Sequence, residues 1–284
     1  MPFRPDIYNL PAPEIAEVQA ALLCEAVRYA ALASPYYRDR FAAAGVEAAG
    51  VRTLADLVRL PVTSREDIQR RGRDAWAVPR ERVAEIVATT GTTGEPLYVA
   101  MTQADLGRLG ENERRGFTWL GAKPGDRFHI AITLDNLFVA GLAYHIGLAM
   151  VGASAIRVGA QPARRHLDLM KHLRPDGLVA VPSLLLALAR QARADGEDLA
   201  TFAPRRVLLI GDAIRGADLR SNTLGRLLEE AWGGELFSTY GLTEAGLAFH
   251  ECPAHCGLHS HPHLVIVEGL DDAGRPGADG EAGE

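Results

Sequence analysis

The sequence predicts an α/β protein with a largely parallel sheet flanked by helices, preceded by a helical N-terminal region. Strand and helix patterns alternate from Arg127 to Thr239, which is typical of βα units with neighbouring parallel strands. The chain has 284 residues, of which 48% are hydrophobic and 23% are charged. It therefore holds enough apolar material for a sizeable core.

The N-terminal region, residues 1–80, is predicted to be helical. Apolar residues recur at helical spacing between Glu14 and Ala33. Ser64 and Asp67 have the spacing of a capping pair, which predicts a short helix after Ser64. Two strand-like runs and a longer helix follow, at Val83–Ala88, Leu97–Met101 and Thr102–Leu120.

Residues 81–268 are predicted to form the α/β core, and residues 269–284 the truncated start of a further subdomain. The predicted strands of the alternating part are Arg127–Thr133, Ala153–Val158, Gly177–Val181, Arg206–Ile210 and Glu235–Thr239. The predicted helices are Asn136–Val151, Ala163–Leu173, Ser183–Ala194 and Ala217–Trp232.

The stretch Leu137–Ile156 is nearly all apolar and long enough to span a bilayer. Glycines interrupt it, and helices buried inside a protein are also apolar on every side. We interpret the stretch as a buried helix that ends near Gly152 and is followed by a strand. We therefore expect no membrane partner.

Composition narrows the cellular setting. A net charge of -6 gives no basic footprint for nucleic acid. No apolar segment follows a basic start, so no secretory signal is expected. Three cysteines are too few, and an odd number, for a disulfide framework. These features favour a reducing cytoplasm.

The segment Thr89–Pro96 reads Thr-Thr-Gly-Thr-Thr-Gly-Glu-Pro and is rich in hydroxyl groups and glycines. Glycines let backbone amides close around an anion, and the threonine hydroxyls add further donors. The segment is not a P-loop, because lysine is absent and a strand follows. An ordinary hairpin turn is the alternative interpretation.

A second polar segment, Ser238–Glu244, comes directly after a predicted strand. In open α/β sheets, ligands bind beyond the carboxyl ends of the strands. Tyr240 could stack on a base, Thr243 could donate to a phosphate, and the Glu244 carboxylate suits Mg²⁺. The alternative is a strand end followed by a helix cap.

Together, Thr89–Pro96 and Tyr240–Glu244 resemble the two nucleotide signatures of the adenylate-forming superfamily, in the same order and at a similar separation. The chain most resembles the phenylacetate–CoA ligase branch. The residues that suggest this branch are Pro61–Asp67 and Glu251-Cys252 followed by Gly257-Leu258-His259. The resemblance covers essentially the whole chain and implies the large-domain fold of that superfamily.

The resemblance implies roles for individual residues. The phosphates of ATP would contact Thr90, Gly91, Thr92, Thr93 and Gly94. Adenine would be bordered by Gly211, Asp212, Ala213, Tyr240 and Gly241. Thr243 would bind phosphate and Glu244 would hold Mg²⁺, as the catalytic pair. The pocket for the acid would be lined by Phe138, Gly141, Tyr144 and His145. Glu95 departs from the pattern, because many relatives have lysine there.

Between His250 and His263 lie five of the nine histidines and two of the three cysteines. Thiolate and imidazole are the usual ligands of Zn²⁺. The resemblance implies a structural zinc held by Cys252 and His259, with Cys256 and His261 as the nearest additional ligands. Relatives complete such a site with a Cys-x-Cys pair, which this chain does not have. A solvated polar loop is the alternative.

The reaction implied is ATP-dependent activation of an aryl or phenylacetate-like acid as an acyl adenylate, followed by thioester formation with CoA. Two alternatives stay open: a non-catalytic nucleotide- or zinc-binding remnant, and an adenylating enzyme that loads a carrier-protein thiol. The family's ribose-binding Thr-Gly-Asp segment and lid domain with its catalytic lysine are not in the chain. We therefore expect a truncated, inactive piece. A homodimer is a further expectation.

Overall fold

The computed structural model describes residues 7–89, 94–271, 274–275 and 277. The chain divides into two compact units. The first contains residues 1–86, 91–102 and 260–284, and the second contains residues 87–90 and 103–259. This division differs from the predicted boundaries at residues 80 and 268, because the segment after residue 259 belongs with the N-terminal helices.

The first unit is mainly helical, as predicted. Its helices are α1 (Ala12–Ala33), α2 (Pro35–Ala43) and α3 (Arg65–Arg71), joined by short 3-10 turns. Its hydrophobic core is formed by Leu23, Val27, Phe41, Val46 and Val51. The predicted capping pair of α3 is confirmed: Asp67 N donates to Ser64 Oγ at 3.1 Å, and Ser64 N donates to Asp67 Oδ2 at 3.2 Å.

The segment after residue 259 returns to these helices. Ile266 packs against the core of the first unit. Gln19 Nε2 donates to the carbonyl of Val265 at 3.4 Å, and the Tyr8 hydroxyl lies 2.6 Å from His261 Nδ1. These contacts pair residues more than 240 positions apart, which local sequence patterns do not reveal. Two short strands, β1 (Glu85–Ala88) and β2 (Tyr98–Met101), form a separate two-stranded sheet.

The second unit contains a seven-stranded sheet. In chain order its strands are β3 (Arg127–Ile130), β4 (Ser154–Arg157), β5 (Gly177–Ala180), β6 (Arg206–Leu209), β7 (Glu235–Leu242), β8 (Leu247–Glu251) and β9 (Leu258–His259). Their spatial order is β4-β3-β5-β6-β7-β8-β9. The first five are parallel, whereas β8 and β9 add an antiparallel edge.

Helices cover both faces of this sheet. They are α4 (Gln103–Trp119), α5 (Val139–Val151), α6 (Ala163–Leu173), α7 (Pro182–Ala194) and α8 (Thr223–Trp232). Side chains of α6, α7 and α8 share one core cluster with Leu178 and Ala180 of β5, whereas Val179 between them joins α4 and α5 in the other. This alternation buries both faces, as parallel sheets require. The predicted α/β class is confirmed.

Two helices begin later than predicted. Helix α5 begins at Val139 because Asn136 and Leu137 have left-handed backbones, with φ of 56° and 62°. Helix α8 begins at Thr223, where the Asn222 side chain accepts from Gly225 N and caps the helix. The predicted end of α5 at Gly152 is confirmed. In the part of the chain that the structure describes, no helix is long and apolar enough to cross a membrane.

Candidate functional site

The predicted nucleotide segments 211–213 and 240–244 begin at equivalent positions on two neighbouring strands. Leu209 of β6 pairs with Ser238 of β7, and both Gly211 and Tyr240 come two residues later. The predicted adenine segment 211–213 and the signature 240–244 therefore begin side by side at the carboxyl edge of the parallel sheet, where α/β proteins bind ligands. Residues 211–213 are exposed, and Tyr240 is 56% exposed.

The signature lies on a hairpin rather than beyond the end of a strand. Strand β7 continues to Leu242, and Tyr240 pairs with Phe249 of β8 in antiparallel register. The two rings are stacked with centroids 6.3 Å apart. Thr243 and Glu244 lie in the turn to β8, where Gly246 N donates to the Leu242 carbonyl at 3.0 Å. No helix follows, so the helix-cap alternative is wrong.

The loop from β3 to α5 lies at the same edge of the sheet. Strand β3 connects forward to β4 on one side and lies beside β5 on the other, so the chain reverses its direction across the sheet here. Such switch points are where open α/β sheets form ligand crevices. Ala88 N donates to the Leu137 carbonyl at 2.9 Å, which places the start of the predicted phosphate loop next to this one.

The phosphate loop itself falls mostly outside the described residues. Thr90, Gly91, Thr92 and Thr93 are not described, so their predicted contacts with ATP stay predictions. The same holds for the prediction that this loop shares a cleft with Tyr240–Glu244. Gly94, which is described, has a φ of 147°, a backbone conformation that favours glycine.

Two of the predicted acid-lining residues have clear packing roles. Tyr144 is 1% exposed and packs edge-on against Phe117 with ring centroids 5.7 Å apart. Burial, with the nearby Glu113 carboxylate, raises the pKa of Tyr144 well above its ordinary value. At Gly141, any Cβ would overlap the Thr133 carbonyl oxygen and lie 2.9 Å from Leu134 Cα.

The other two predicted acid-lining residues are less deeply buried. Phe138 is half-buried, precedes the first residue of α5 and packs against the core. His145 is half-buried, and its Nδ1 finds no hydrogen-bond partner within the described residues. These two residues are the more exposed of the four.

The structure describes all four predicted zinc ligands, Cys252, Cys256, His259 and His261. Among residues 7–89, 94–271 and the few described beyond, no group of three or more metal-ligating side chains is placed to hold an ion. The His259 ring packs on Trp119 with centroids 4.8 Å apart, and His261 bonds Tyr8. Cys252 is half-buried and Cys256 is exposed, both as thiols. The described residues do not fit the closed site that the resemblance implies.

A buried ion pair that no local sequence pattern reveals lies beside the predicted adenine segment 211–213. Arg215, which follows that segment, donates to the carboxylate of Glu251, whose side chain is 1% exposed. The other Glu251 oxygen accepts from Ser238 N at 2.8 Å, and Arg215 Nη2 lies 2.7 Å from His255 Nδ1. The pair thus ties the residues after β6 to β7 and β8.

Helix α4 supplies a second set of buried polar contacts. Asn112 bonds the backbone of Ala248, and Glu113 Oε2 lies 2.9 Å from His250 Nε2. The side chains of Asn112 and Glu113 are both buried. The partners are about 136 residues apart, so local sequence patterns do not reveal these pairs. Two polar residues, Asn112 and Glu113, on the buried face of a helix do indicate that buried partners exist.

The structure is an α/β domain whose predicted nucleotide segments 211–213 and 240–244 follow the parallel strands β6 and β7. Residues 16–284 match the family described as AMP-binding enzyme. This match covers nearly the whole sequence. The chain belongs to the AMP-binding enzyme family.

Curated relatives include two bacterial proteins described as phenylacetate-coenzyme A ligases. The protein from Thermus thermophilus is 30% identical over 292 residues, covering 100% of this chain and 63% of the relative. The protein from Escherichia coli is 30% identical over 281 residues, covering 95% of this chain and 62% of the relative. The chain thus spans less than two thirds of the length of these relatives.

Solved structures confirm the fold. A 2-hydroxyisobutyryl-CoA ligase, solved in an open conformation in complex with 2-HIB-AMP and CoA, superposes with a TM-score of 0.87 at 21% identity. The superposition covers 98% of this chain and 66% of the ligase. The same ligase in its thioesterification state also superposes with a TM-score of 0.87, at 23% identity. At this level of identity the likeness establishes architecture.

Proposed function

We propose that the protein takes part in ATP-dependent activation of a carboxylic acid. The acid carboxylate attacks the α-phosphorus of ATP, the bond to the β-phosphate bridging oxygen breaks, and pyrophosphate leaves. The thiol of CoA then displaces AMP from the acyl adenylate to give a thioester. Membership of the AMP-binding enzyme family and the names of the curated relatives support this proposal.

The observation that carries the proposal is the adjacency of segments 211–213 and 240–244. They follow paired positions on neighbouring parallel strands, although they are 29 residues apart from Gly211 to Tyr240. An exposed aromatic ring beside exposed backbone suits a flat base. The Thr243 hydroxyl and the Glu244 carboxylate lie a few residues further, in the β7–β8 turn.

Within the proposed site the chain mainly binds and orients ATP and the acid. Tyr240 would pack on adenine, and the Thr243 hydroxyl would donate to a phosphate oxygen. Glu244 would hold Mg²⁺, which when bound offsets the charge of the phosphates and of the leaving pyrophosphate. Holding two reactants in line lowers the barrier chiefly by positioning and by electrostatic stabilisation of developing charge.

The acid is proposed to be an aryl or phenylacetate-like acid, as in the names of the curated relatives. Phe138 offers an aromatic surface at the start of α5, and His145 offers an unused ring nitrogen on the same helix. The three free thiols fit a reducing cytoplasm, where we place the reaction. Zinc and a homodimer stay predictions and form no part of the proposal.

The test is substitution of the proposed Mg²⁺ ligand. Glu244→Gln keeps the size of the side chain but removes its charge, so Mg²⁺-dependent binding of ATP should weaken by about tenfold or more. Glu230→Gln is the matched control, because Glu230 is exposed on α8 near the opposite edge of the sheet. Binding is measured by calorimetry with and without Mg²⁺.

Equal Mg²⁺-dependent affinity in the Glu244→Gln variant and the wild type would contradict the assigned role. A protein that binds no adenine nucleotide would overturn the proposed function. Pyrophosphate release with a panel of aryl and acyl acids, measured on the protein extended to the length of its relatives, identifies the acid. Comparing CoA with a carrier-protein thiol as the acceptor tests the last step.

A further inference from the structure

Strand β8 has a gap in its hydrogen-bonded edge. On one side it pairs with β7 from Leu247 to His250. On the other side β9 pairs only with His250 and Glu251. In an antiparallel strand, every second residue directs its N–H and C=O to the same side. Ala248, two residues before His250, therefore directs its backbone groups toward the β9 side, ahead of the point where β9 begins.

Asn112 fills this gap from helix α4. Its Nδ2 donates to the Ala248 carbonyl at 2.9 Å, and its Oδ1 accepts from Ala248 N, also at 2.9 Å. A side-chain amide carries the same donor and acceptor as a peptide group. Asn112 is fully buried, so no water competes for these two bonds. The side chain thus takes the place of a missing strand residue.

The neighbouring residues of α4 strengthen this attachment. Glu113 Oε2 lies 2.9 Å from His250 Nε2, and both side chains are buried. At Gly116 any Cβ would overlap the His250 ring, so glycine allows the helix to lie this close to the strand. Helix α4 therefore contacts β8 at two residues: Asn112 bonds the backbone of Ala248, and Glu113 contacts the side chain of His250.

The position that Asn112 holds is directly opposite the nucleotide signature. Ala248 pairs with Gly241, and Tyr240, Thr243 and Glu244 lie on either side of that pair along the hairpin. A slip of one residue in a strand moves every side chain to the opposite face. Fixing Ala248 therefore fixes the register of β8 against β7, and with it the position of the turn between them that carries Thr243 and Glu244.

We propose that Asn112 is a positioning residue of the nucleotide site, acting through Ala248 to hold the β7–β8 hairpin in register. The proposal rests on the proposed function, because it assigns the hairpin to nucleotide binding. Asn112 itself touches no ligand. Its effect on binding passes through the backbone of β8.

The experiment compares Asn112→Asp and Asn112→Leu with the wild type. An ionised aspartate still accepts from Ala248 N but cannot donate to the Ala248 carbonyl, and leucine does neither. We expect the Kd for ATP with Mg²⁺ to rise about tenfold in both variants at neutral pH. Leu167→Ala, a core truncation in α6, is the control for general destabilisation and should bind ATP within about twofold of the wild type.

A pH series separates positioning from general loss of stability. A protonated aspartic acid regains a donor and keeps an acceptor, so it restores both bonds to Ala248. Burial favours the protonated form of a carboxyl group. The affinity of Asn112→Asp, divided by that of the wild type at each pH, should therefore recover as pH falls. Asn112→Leu and Leu167→Ala should show no such recovery.

Wild-type affinity of a folded Asn112→Asp variant throughout a pH series that extends to alkaline pH, where the aspartate is ionised, would overturn the proposal. A reduced affinity ratio that does not change with pH would also overturn it. If Asn112→Leu does not fold, Asn112→Asp is sufficient for the test, because its protonated form keeps both hydrogen bonds to Ala248. Failure of the proposed function is distinguishable, since the wild type would then bind no nucleotide. In that case hydrogen exchange at the Ala248 amide still decides whether Asn112 holds the strand.

Discussion

At the scale of single residues, the polar groups that matter most are buried and far apart in sequence. Arg215 and Glu251 tie the adenine segment to β7, and Asn112 completes the edge of β8. A third buried pair consists of His129 on β3 and His166 on α6. Its two rings meet through His129 Nε2 and His166 Nδ1 at 2.8 Å.

The histidine pair makes stability depend on pH. Burial, followed by the effect of His166, lowers the pKa of His129 from 6.5 to about 3, and burial also lowers the pKa of His166. The unfolded chain takes up protons below about pH 6.5, whereas the folded chain does not. The free energy of unfolding should therefore fall as pH drops from 7 toward 4, on the order of a few kcal/mol.

Urea unfolding at pH 7, 5.5 and 4 measures this slope. The double variant His129→Leu/His166→Leu should lose less stability across the range, because both buried polar partners are removed together. His172→Gln is the matched control, since His172 is exposed on the same helix as His166. A double variant with the wild-type slope would show that other groups cause the acid sensitivity.

At the scale of secondary-structure elements, strongly periodic segments were predicted well. Helix α6 matches its predicted bounds, and β3, β5 and β6 begin where predicted. The short strands β8 and β9 were missed, because their residues are mixed in polarity and no local pattern distinguishes them from a loop. Their existence depends on pairing with β7, which is a tertiary contact.

Substitution of Gly141 tests whether this glycine is needed for the close packing of helix α5. The resemblance assigns this residue to the acid pocket, whereas the structure shows α5 lying directly against the Thr133 carbonyl. Gly141→Ala should destabilise the protein by about 1–3 kcal/mol, because an inserted methyl group forces the helix away from the loop. Ala143→Gly, two positions along the same helix, is the control for helix propensity.

Thermal and urea unfolding measure the stability of both variants, and pyrophosphate release by the extended protein with a panel of acids measures their acid preference. If Gly141→Ala keeps wild-type stability but changes which acids are accepted, Gly141 lines the pocket and the packing interpretation is wrong. If stability falls with no change in acid preference, the glycine serves the approach of α5. The Ala143→Gly variant should lose about 1 kcal/mol from helix propensity and about 0.8 kcal/mol more from its buried methyl group.

At the scale of the whole molecule, the length of the chain relative to its curated relatives bears on the proposed activity. It spans 63% and 62% of the two curated relatives described above. The segments that would bind nucleotide are within it, whereas the family resemblance places a lysine-bearing lid in a separate domain. Lids exclude water and complete a catalytic site, so binding and chemistry can reside in different parts of a protein.

We therefore expect residues 1–284 alone to bind ATP weakly and to form little or no acyl-CoA. Adding the remaining length of the curated relatives should restore thioester formation. The measurement is acyl-CoA production by residues 1–284 and by the extended protein at equal concentrations. Robust turnover by residues 1–284 alone would show that the catalytic groups are all present in this chain.

The sequence by itself determined the α/β class, most helices and parallel strands, and the order of the two nucleotide segments. Hydrophobic periodicity and short glycine- and threonine-rich motifs are local properties, so they can be read along the chain. Even so, local patterns could not decide whether Tyr144 faced a ligand or the core, since an aromatic residue on an apolar helix suits both.

Only the tertiary structure decided how these pieces combine. Histidines of the segment 250–263 make separate contacts with Glu113, Arg215, Trp119 and Tyr8. The signature 240–244 became part of a hairpin whose register is held by a helix more than 100 residues earlier. Both outcomes depend on which buried polar groups find partners, and those partners come from distant parts of the chain.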